Sequence, residues 1–216
     1  MTAAAGGIEM TAPIEREMTA MTKHEMSIRM EQKMIPPTAR QSIATTRIDT
    51  PLGTLLAAAE SDALTGLWFI GQRHFPKHAD TWIEDDNAAP FAVLRQQLDE
   101  YFDGSRREFD LPLAPGGSHA TAFQRSVWNA IAAVPFGETI SYSVLAFRCG
   151  RPTAMRAAGA ATGRNPISIV IPCHRIVGSG GDLTGYAGGI ERKVRLLELE
   201  SGDRSPATPP LDLRAR

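Results

Sequence analysis

The sequence predicts an α+β chain in two parts, a small antiparallel-sheet domain followed by a mostly helical domain with a helix-turn-helix. Three observations predict it. Short strand-like runs separated by turn residues fill the first half; apolar stripes at helical spacing begin at Thr121; and an apolar run, Ile167 to Ile171, reads as a buried strand that ends abruptly at Pro172 and is followed at once by Cys173, His174 and Arg175. At 216 residues the chain has room for one large domain or two small ones.

Taken in order, residues 1–41 read as a disordered extension. Seven of the eight methionines fall in its first 34 positions, and the helical spacing of Met26, Met30 and Met34 stops at Pro36-Pro37. Residues 42–117 read as a scaffold domain. Thr45 to Asp49, Thr54 to Ala59 and Ala63 to Phe69 have strand character, with turns at Pro51-Leu52-Gly53 and Ser61-Asp62. Phe91, Leu94, Leu98 and Phe102 share one face of a helix that starts after Pro90 and stops at Gly104, and Phe109 to Leu113 reads as a further strand. Residues 118–204 form the second domain, with 205–216 as a tail. Here Phe123, Val127, Trp128, Ile131 and Val134 mark one helix. Ser141 caps a second, which Gly150 closes, and Thr153 to Thr162 form an alanine-rich third that opens at Pro152. A short helix, a turn with glycine and a second small-residue helix match a helix-turn-helix, and they match close helix packing equally well.

Composition excludes several classes. The longest apolar run, residues 130–136, is far short of the roughly 18 residues a membrane helix needs. Two cysteines, Cys149 and Cys173, in no CxxC pair argue against a disulfide scaffold and a thiolate zinc site, so no metal is expected and a reduced, cytoplasmic setting is. The Gly-rich stretch from Gly178 lacks the GxxxxGK[ST] spacing of a phosphate loop. The net charge of -1 conceals an asymmetry: 11 Lys and Arg against 17 Asp and Glu up to residue 115, then 12 against 7, a balance that suits a polyanionic partner or an ordinary solvated surface.

The chemistry gathers around Cys173. A thiol at the rim of a buried segment is held rigidly, but its free pKa of about 8.5 leaves it protonated at neutral pH. It is an inert packing residue unless a base or cation supplies the thiolate, and His174 is its neighbour in sequence.

Ile171-Pro172-Cys173-His174-Arg175, preceded by Arg164-Asn165-Pro166 and followed by Tyr186-Ala187-Gly188-Gly189, resembles the active site of the O6-alkylguanine-DNA alkyltransferases. Pro135-Phe136-Gly137, Ser141-Tyr142, the Pro152 to Gly159 segment and Leu196 to Glu200 extend the likeness over roughly residues 120–202. Residues 42–115 match that family's N-terminal domain, ribonuclease H-like in fold, only in length and pattern.

The resemblance implies a protein that extrudes an alkylated guanine from duplex DNA and takes the alkyl group irreversibly onto its own cysteine, without a cofactor. By that likeness Cys173 is the acceptor. His174 draws the thiol proton through a water, Glu200 orients the histidine and Asn165 ties the turn together. Tyr142 drives rotation of the target nucleotide, and Arg156 fills the vacated stack from a helix whose Ala157 and Gly159 lie close to DNA. Tyr186 donates to the base ring nitrogen, the Ala187 N–H faces O6, and the carbonyls of Cys173 and Ile176 accept from the exocyclic amine. The expected partner is double-stranded DNA containing O6-alkylguanine, with O4-alkylthymine as a second lesion. No membrane and no stable protein partner are expected, and a monomer is. Two other readings stay open: a non-catalytic sensor of alkylated bases, and a transcription factor, which the scarcity of polar base-reading side chains on residues 153–162 disfavours.

Overall fold

In the computed structural model, which describes residues 43–202, strands β1 (Ala44–Ile48), β2 (Leu55–Glu60) and β3 (Ala63–Phe69) form an antiparallel meander. The extension and tail read from the sequence lie outside the described residues. Strand alternation sends Leu55, Ala57 and Ala59 of β2 into the core and turns Leu56 and Ala58 to the opposite face. On that opposite face the Trp68 indole meets Trp82 and Phe75 at ring-centroid distances of 5.9 and 6.5 Å. The same indole lies where a side chain at residue 66 would begin: a Cβ there would sit 1.7 Å from the ring, so Gly66 is obligatory.

A fourth strand, β4 (Ile83–Glu84), departs from the expected antiparallel pattern by pairing parallel with β1, giving the order β3-β2-β1-β4. The reason is topological, since the chain leaving β3 must cross the whole sheet to reach its far edge, and crossover connections yield parallel pairs. Helix α1 (Phe91–Asp103) buries Phe91, Leu94, Leu98 and Tyr101 in the core and ends at Gly104 in the left-handed conformation. Phe109 to Leu113 is not a strand. Only Leu113 bridges, to Leu64, while the Gln97 side chain takes both the N–H (2.8 Å) and the carbonyl (2.7 Å) of Asp110, leaving that backbone no need of a ladder.

The second half packs into the same core. Helix α2 (Ala122–Ala132) starts from a Thr121 capping box closed by Gln124, and contributes Val127, Trp128 and Ile131. Strand β5 (Ile140–Ser141) leads into α3 (Tyr142–Arg148), capped by Ser141 as expected. Helix α4 runs Met155–Gly163, two residues later than the sequence suggests, because the chain from Arg151 to Ala154 closes a turn (Ala154 N–H to Arg151 carbonyl, 2.9 Å) around Pro152. The Trp128 indole N–H donates to the Ala161 carbonyl at 2.9 Å and locks α2 to α4. Short strand β6 (Ile176–Val177) pairs parallel with β5, and α5 (Ile190–Ser201) closes the structure.

Residues 167–171 are buried but form a turn instead of a strand. Leu67 donates to the Pro166 carbonyl (2.7 Å) and accepts from the Ser168 N–H (2.8 Å), after which Ile169 adopts a φ of 70° and the chain turns away. Asn165 is the cause. Its side chain accepts from the Ile167 N–H (3.1 Å) and donates to the carbonyls of Ile167 (3.3 Å) and Ile171 (2.7 Å), occupying groups a ladder would need.

Trp128→Phe keeps most of the packing and removes one of the two hydrogen bonds to the Ala161 carbonyl, which still accepts from the Arg164 N–H at 3.1 Å. We expect unfolding free energy to fall by about 0.5–1.5 kcal/mol with an unchanged denaturant slope, measured by urea titration.

Candidate functional site

Cys173 opens a single 3-10 turn, Cys173–Arg175, directly after Pro172. It is 5% exposed, and Asn165 Nδ2 donates to its Sγ at 3.0 Å, so one amide fixes both the shape of the turn and the position of the sulfur. Burial pushes the Cys173 thiol up to about 11, outweighing the Asn165 hydrogen bond and the nearby Lys193 charge. The thiol is therefore protonated at rest.

His174 and Arg175, next along the turn, both reach Glu200 at the end of α5. His174 Nε2 lies 2.8 Å from Oε1, Arg175 Nε lies 2.8 Å from Oε2 and its Nη2 lies 2.9 Å from Oε1. Tyr101 Oη donates to Oε1 at 2.8 Å and the Gly137 N–H to Oε2 at 3.3 Å. Burial alone would raise the Glu200 carboxyl, but the hydrogen bonds from His174 and Arg175 and the Arg175 charge prevail and hold it at about 2. Burial lowers His174 and keeps the imidazole neutral despite Glu200. Its Nδ1 is buried with no partner, as is the Tyr186 hydroxyl, whose ring stands perpendicular to the His174 ring at 6.5 Å.

A cavity of about 790 Å³ is lined by Tyr142, Gly159, Arg164, Tyr186 and Ala187 among others. Burial raises both tyrosines, with the nearby Cys173 adding to the effect; the sulfur itself is not part of the cavity lining and lies behind these two rings. Tyr142 Oη reaches the carbonyls of Thr184 (3.4 Å) and Gly185 (3.3 Å), and its ring lies 3.7 Å from where a Cβ on Gly159 would stand. Arg156, Ala157 and Ala160 occupy the exposed face of α4, while Ala158, Ala161 and Thr162 are buried beneath. The Ala187 carbonyl accepts from the Arg73 N–H at 3.0 Å.

The residues singled out from the sequence thus fall into two groups. Asn165 with Cys173 and His174 with Glu200 form two hydrogen-bonded pairs joined by the Cys173–Arg175 turn; Tyr142, Gly159, Tyr186 and Ala187 line the nearby cavity, with Arg156 and Ala157 on the outer helix face. Ile176 is engaged differently from expectation: its carbonyl already accepts from Lys193 Nζ at 2.5 Å, and the Cys173 carbonyl accepts from the Ile176 N–H, so each keeps one lone pair for a ligand. Sequence reasoning missed Tyr101, the Arg175–Glu200 fork and the fully buried Lys193, which also donates to the Thr184 carbonyl at 3.0 Å. Lys193, Leu196 and Glu200 recur at i, i+3 and i+7, a spacing that could have marked one buried face of α5. Among the described residues no group of three or more His, Cys, Asp or Glu could hold a metal ion, and no helix is long and apolar enough to cross a membrane.

These features set one buried thiol on the same turn as a neutral imidazole anchored on an ionised carboxylate, close to two tyrosines that line an open cavity. Comparison with known proteins gives the family. Residues 43–115 match the ribonuclease-like domain of 6-O-methylguanine DNA methyltransferase, and residues 122–202 match its DNA binding domain. Methylated-DNA--protein-cysteine methyltransferases from Mycolicibacterium paratuberculosis and Methanosarcina barkeri are 45% and 46% identical, covering 74% and 72% of this chain and 93% and 96% of their own. A crystal structure of Mycobacterium tuberculosis OGT in complex with DNA superposes with a TM-score of 0.67 at 43% identity, covering 74% of this chain and 93% of that one. The chain belongs to the 6-O-methylguanine DNA methyltransferase family.

The buried carboxylate and imidazole fix the acid behaviour. Both groups bind protons less readily folded than unfolded, so stability rises with pH across their windows. We expect it to decline once pH falls below the ordinary histidine value of 6.5, and Glu200's contribution to be lost from about 4.5 toward about 2. Glu200→Gln, which strands Arg175, should cost about 3–5 kcal/mol at neutral pH. Urea titrations at several pH values should show the gap between native and variant narrowing below pH 4.5.

Proposed function

We propose that this chain repairs alkylated DNA by direct reversal, transferring the alkyl group from O6 of guanine in duplex DNA, with O4 of thymine as a second lesion, to Cys173 in a single irreversible step. The observation that carries this reading is the Cys173 thiol fixed by Asn165 beside a neutral His174 whose Nε2 is anchored on Glu200 and whose Nδ1 is buried without a partner.

A thiol near 11 is thiolate in only about one molecule in ten thousand at pH 7, so the proton must leave as the alkyl group arrives. His174, through a water, takes it, and Glu200 stabilises the imidazolium so formed. The sulfur attacks the sp³ carbon, an S–C bond forms, and the C–O6 electron pair returns to the guanine. In the net reaction the thiol proton ends on guanine and the alkyl group on sulfur. Tyr186, kept protonated by burial, donates to the ring nitrogen of the departing base, and the Ala187 N–H faces O6. The product thioether has no route back to the thiol, so each molecule acts once.

Reaching Cys173 requires the base to leave the stack, at a cost of a few kcal/mol. In this reading α3 and α4 act as a helix-turn-helix. Ala157 and Ala160 allow close approach, Gly159 faces the Tyr142 ring, and Arg156 enters the gap left by the base. Arg125, Arg148, Arg151 and Arg164, all exposed, are placed for phosphate contact, although Arg151 also stacks on Phe123 at 5.4 Å. Contacts to the backbone suit a protein that must read all sequences.

Incubation with a duplex carrying one O6-methylguanine should add one methyl to the peptide from Asn165 to Arg175, saturating at one per molecule by mass spectrometry. Binding without modification would favour the sensor. Cys173→Ser should abolish transfer and keep duplex affinity. Asn165→Ala should slow transfer roughly tenfold through the lost bond to sulfur. Arg156→Ala should slow repair in duplex DNA but not reaction with the free base, in single-turnover assays; equal slowing of both would remove its role in the stack.

A further inference from the structure

The first half of the chain reads as scaffold, yet it supplies two basic side chains to the cavity: Arg73 and His74, from the loop after β3, are among its lining residues. The loop is built in place. Gln72, 7% exposed, accepts from the Phe69 N–H (3.0 Å) and from Ser168 Oγ (3.3 Å), and donates its own N–H to the Phe69 carbonyl (3.1 Å). Arg73 donates its N–H to Ala187, and His74 holds a φ of 63°, a conformation that side chains other than glycine adopt only at a cost. Such strain persists where the surroundings impose it and concentrates at functional sites.

The charge around this opening has one sign. Arg73, His74 and Arg164 line it and no carboxylate does. Neither Arg73 nor His74 takes part in an ion pair among the described residues. Unpaired surface arginines are common, but this one is tied through its backbone to Ala187, the residue whose N–H has no protein partner and faces the cavity in the reading above.

We propose that Arg73 and His74 form an anion-binding rim on the lesion cavity, which engages an oxyanion brought in with the damaged nucleotide. The inference rests on the alkyl-transfer reading. Two oxyanions share this chemistry: a carboxylate on the O6 substituent, and the phosphate of the extruded nucleotide. Either would gain a charge-assisted hydrogen bond from the Arg73 guanidinium, weakened by its solvent exposure.

The test compares the full-length protein with Arg73→Gln, Arg73→Lys and His74→Asn, the last chosen because asparagine tolerates a positive φ. Single-turnover transfer is measured from duplexes that differ only in carrying O6-carboxymethylguanine or O6-methylguanine, together with the salt dependence of affinity for undamaged duplex. If the rim reads the substituent, Arg73→Gln lowers the carboxymethyl-to-methyl rate ratio about fivefold, His74→Asn lowers it less, and Arg73→Lys restores most of it. If it reads the phosphate, both rates fall together and the slope of log affinity against log salt drops by about one. Unchanged rates, ratio and slope would overturn the rim, as would a loss that Arg73→Lys does not rescue. Failure of the native protein to take methyl from O6-methylguanine would instead sink the alkyl-transfer reading, while the salt slope would still report on the rim.

Discussion

A single carboxylate, Glu200, holds this site together. It accepts five hydrogen bonds from four directions: the catalytic-turn residues His174 and Arg175, Tyr101 on α1, and the backbone of Gly137 between α2 and β5. A buried carboxylate left unpaired would cost several kcal/mol, and the donors offset that cost only if every one keeps its place. Gly137 shows how little slack remains. It has a φ of 77°, and a Cβ there would come within 3.1 Å of the Glu200 carbonyl oxygen. The reacting turn, the first-half helix and the last helix are therefore registered on one charged group, and the position of His174 is a property of the whole fold.

The same arrangement divides labour between the two nitrogens of His174. Nε2 is committed to Glu200, which sets the ring's orientation, and Nδ1 is left without a hydrogen-bond partner, available for the proton transfer proposed above. Because Arg175 forks onto Glu200, the carboxylate's charge is shared and it stays ionised. It can stabilise an imidazolium without itself being a base strong enough to remove the proton. Lys193 plays a parallel part for the other wall of the site. Its buried ammonium bridges the carbonyls of Ile176 and Thr184 and so ties the loop between β6 and α5, which carries Tyr186 and Ala187, to the final helix.

Much of this was legible in the sequence where the determinants are local. The three meander strands show in their turn residues and apolar runs, and Cys173, His174 and Asn165 fall within nine positions of one another. What escaped was set by contacts distant along the chain or by competition for backbone groups. Residues 167–171 carry every sign of a strand, and only the Asn165 amide, by taking their N–H and carbonyl groups, makes them a turn. Tyr101 reads as one more core aromatic until its hydroxyl is found on a carboxylate 99 positions away. On α5 the apolar pattern misleads, since its deepest face carries Lys193, held by the carbonyls of Ile176 and Thr184, and Glu200, held largely by His174 and Arg175. Arg73 and His74 sit in a loop with no motif, and the distant bonds of Gln72 to Ser168 and of Arg73 to Ala187 bring them to the cavity.

The direction of the Cys173 shift completes the logic. Most reactive cysteines are activated by a lowered pKa, whereas burial here pushes the thiol up to about 11. For a catalyst that turns over, this would waste rate. On the proposed function, in which the Cys173 sulfur is spent on a single event, it is protective, because a thiolate exposed to small electrophiles would be consumed before meeting DNA. The resting site has the acceptor protonated, 5% exposed and held by an amide that favours the thiolate, with a neutral imidazole and an unpartnered phenol alongside. Nothing further needs to be activated. On the proposed function, an alkylated base placed in the cavity supplies the electrophile and partners for the two orphaned groups together, so reactivity arrives with the substrate.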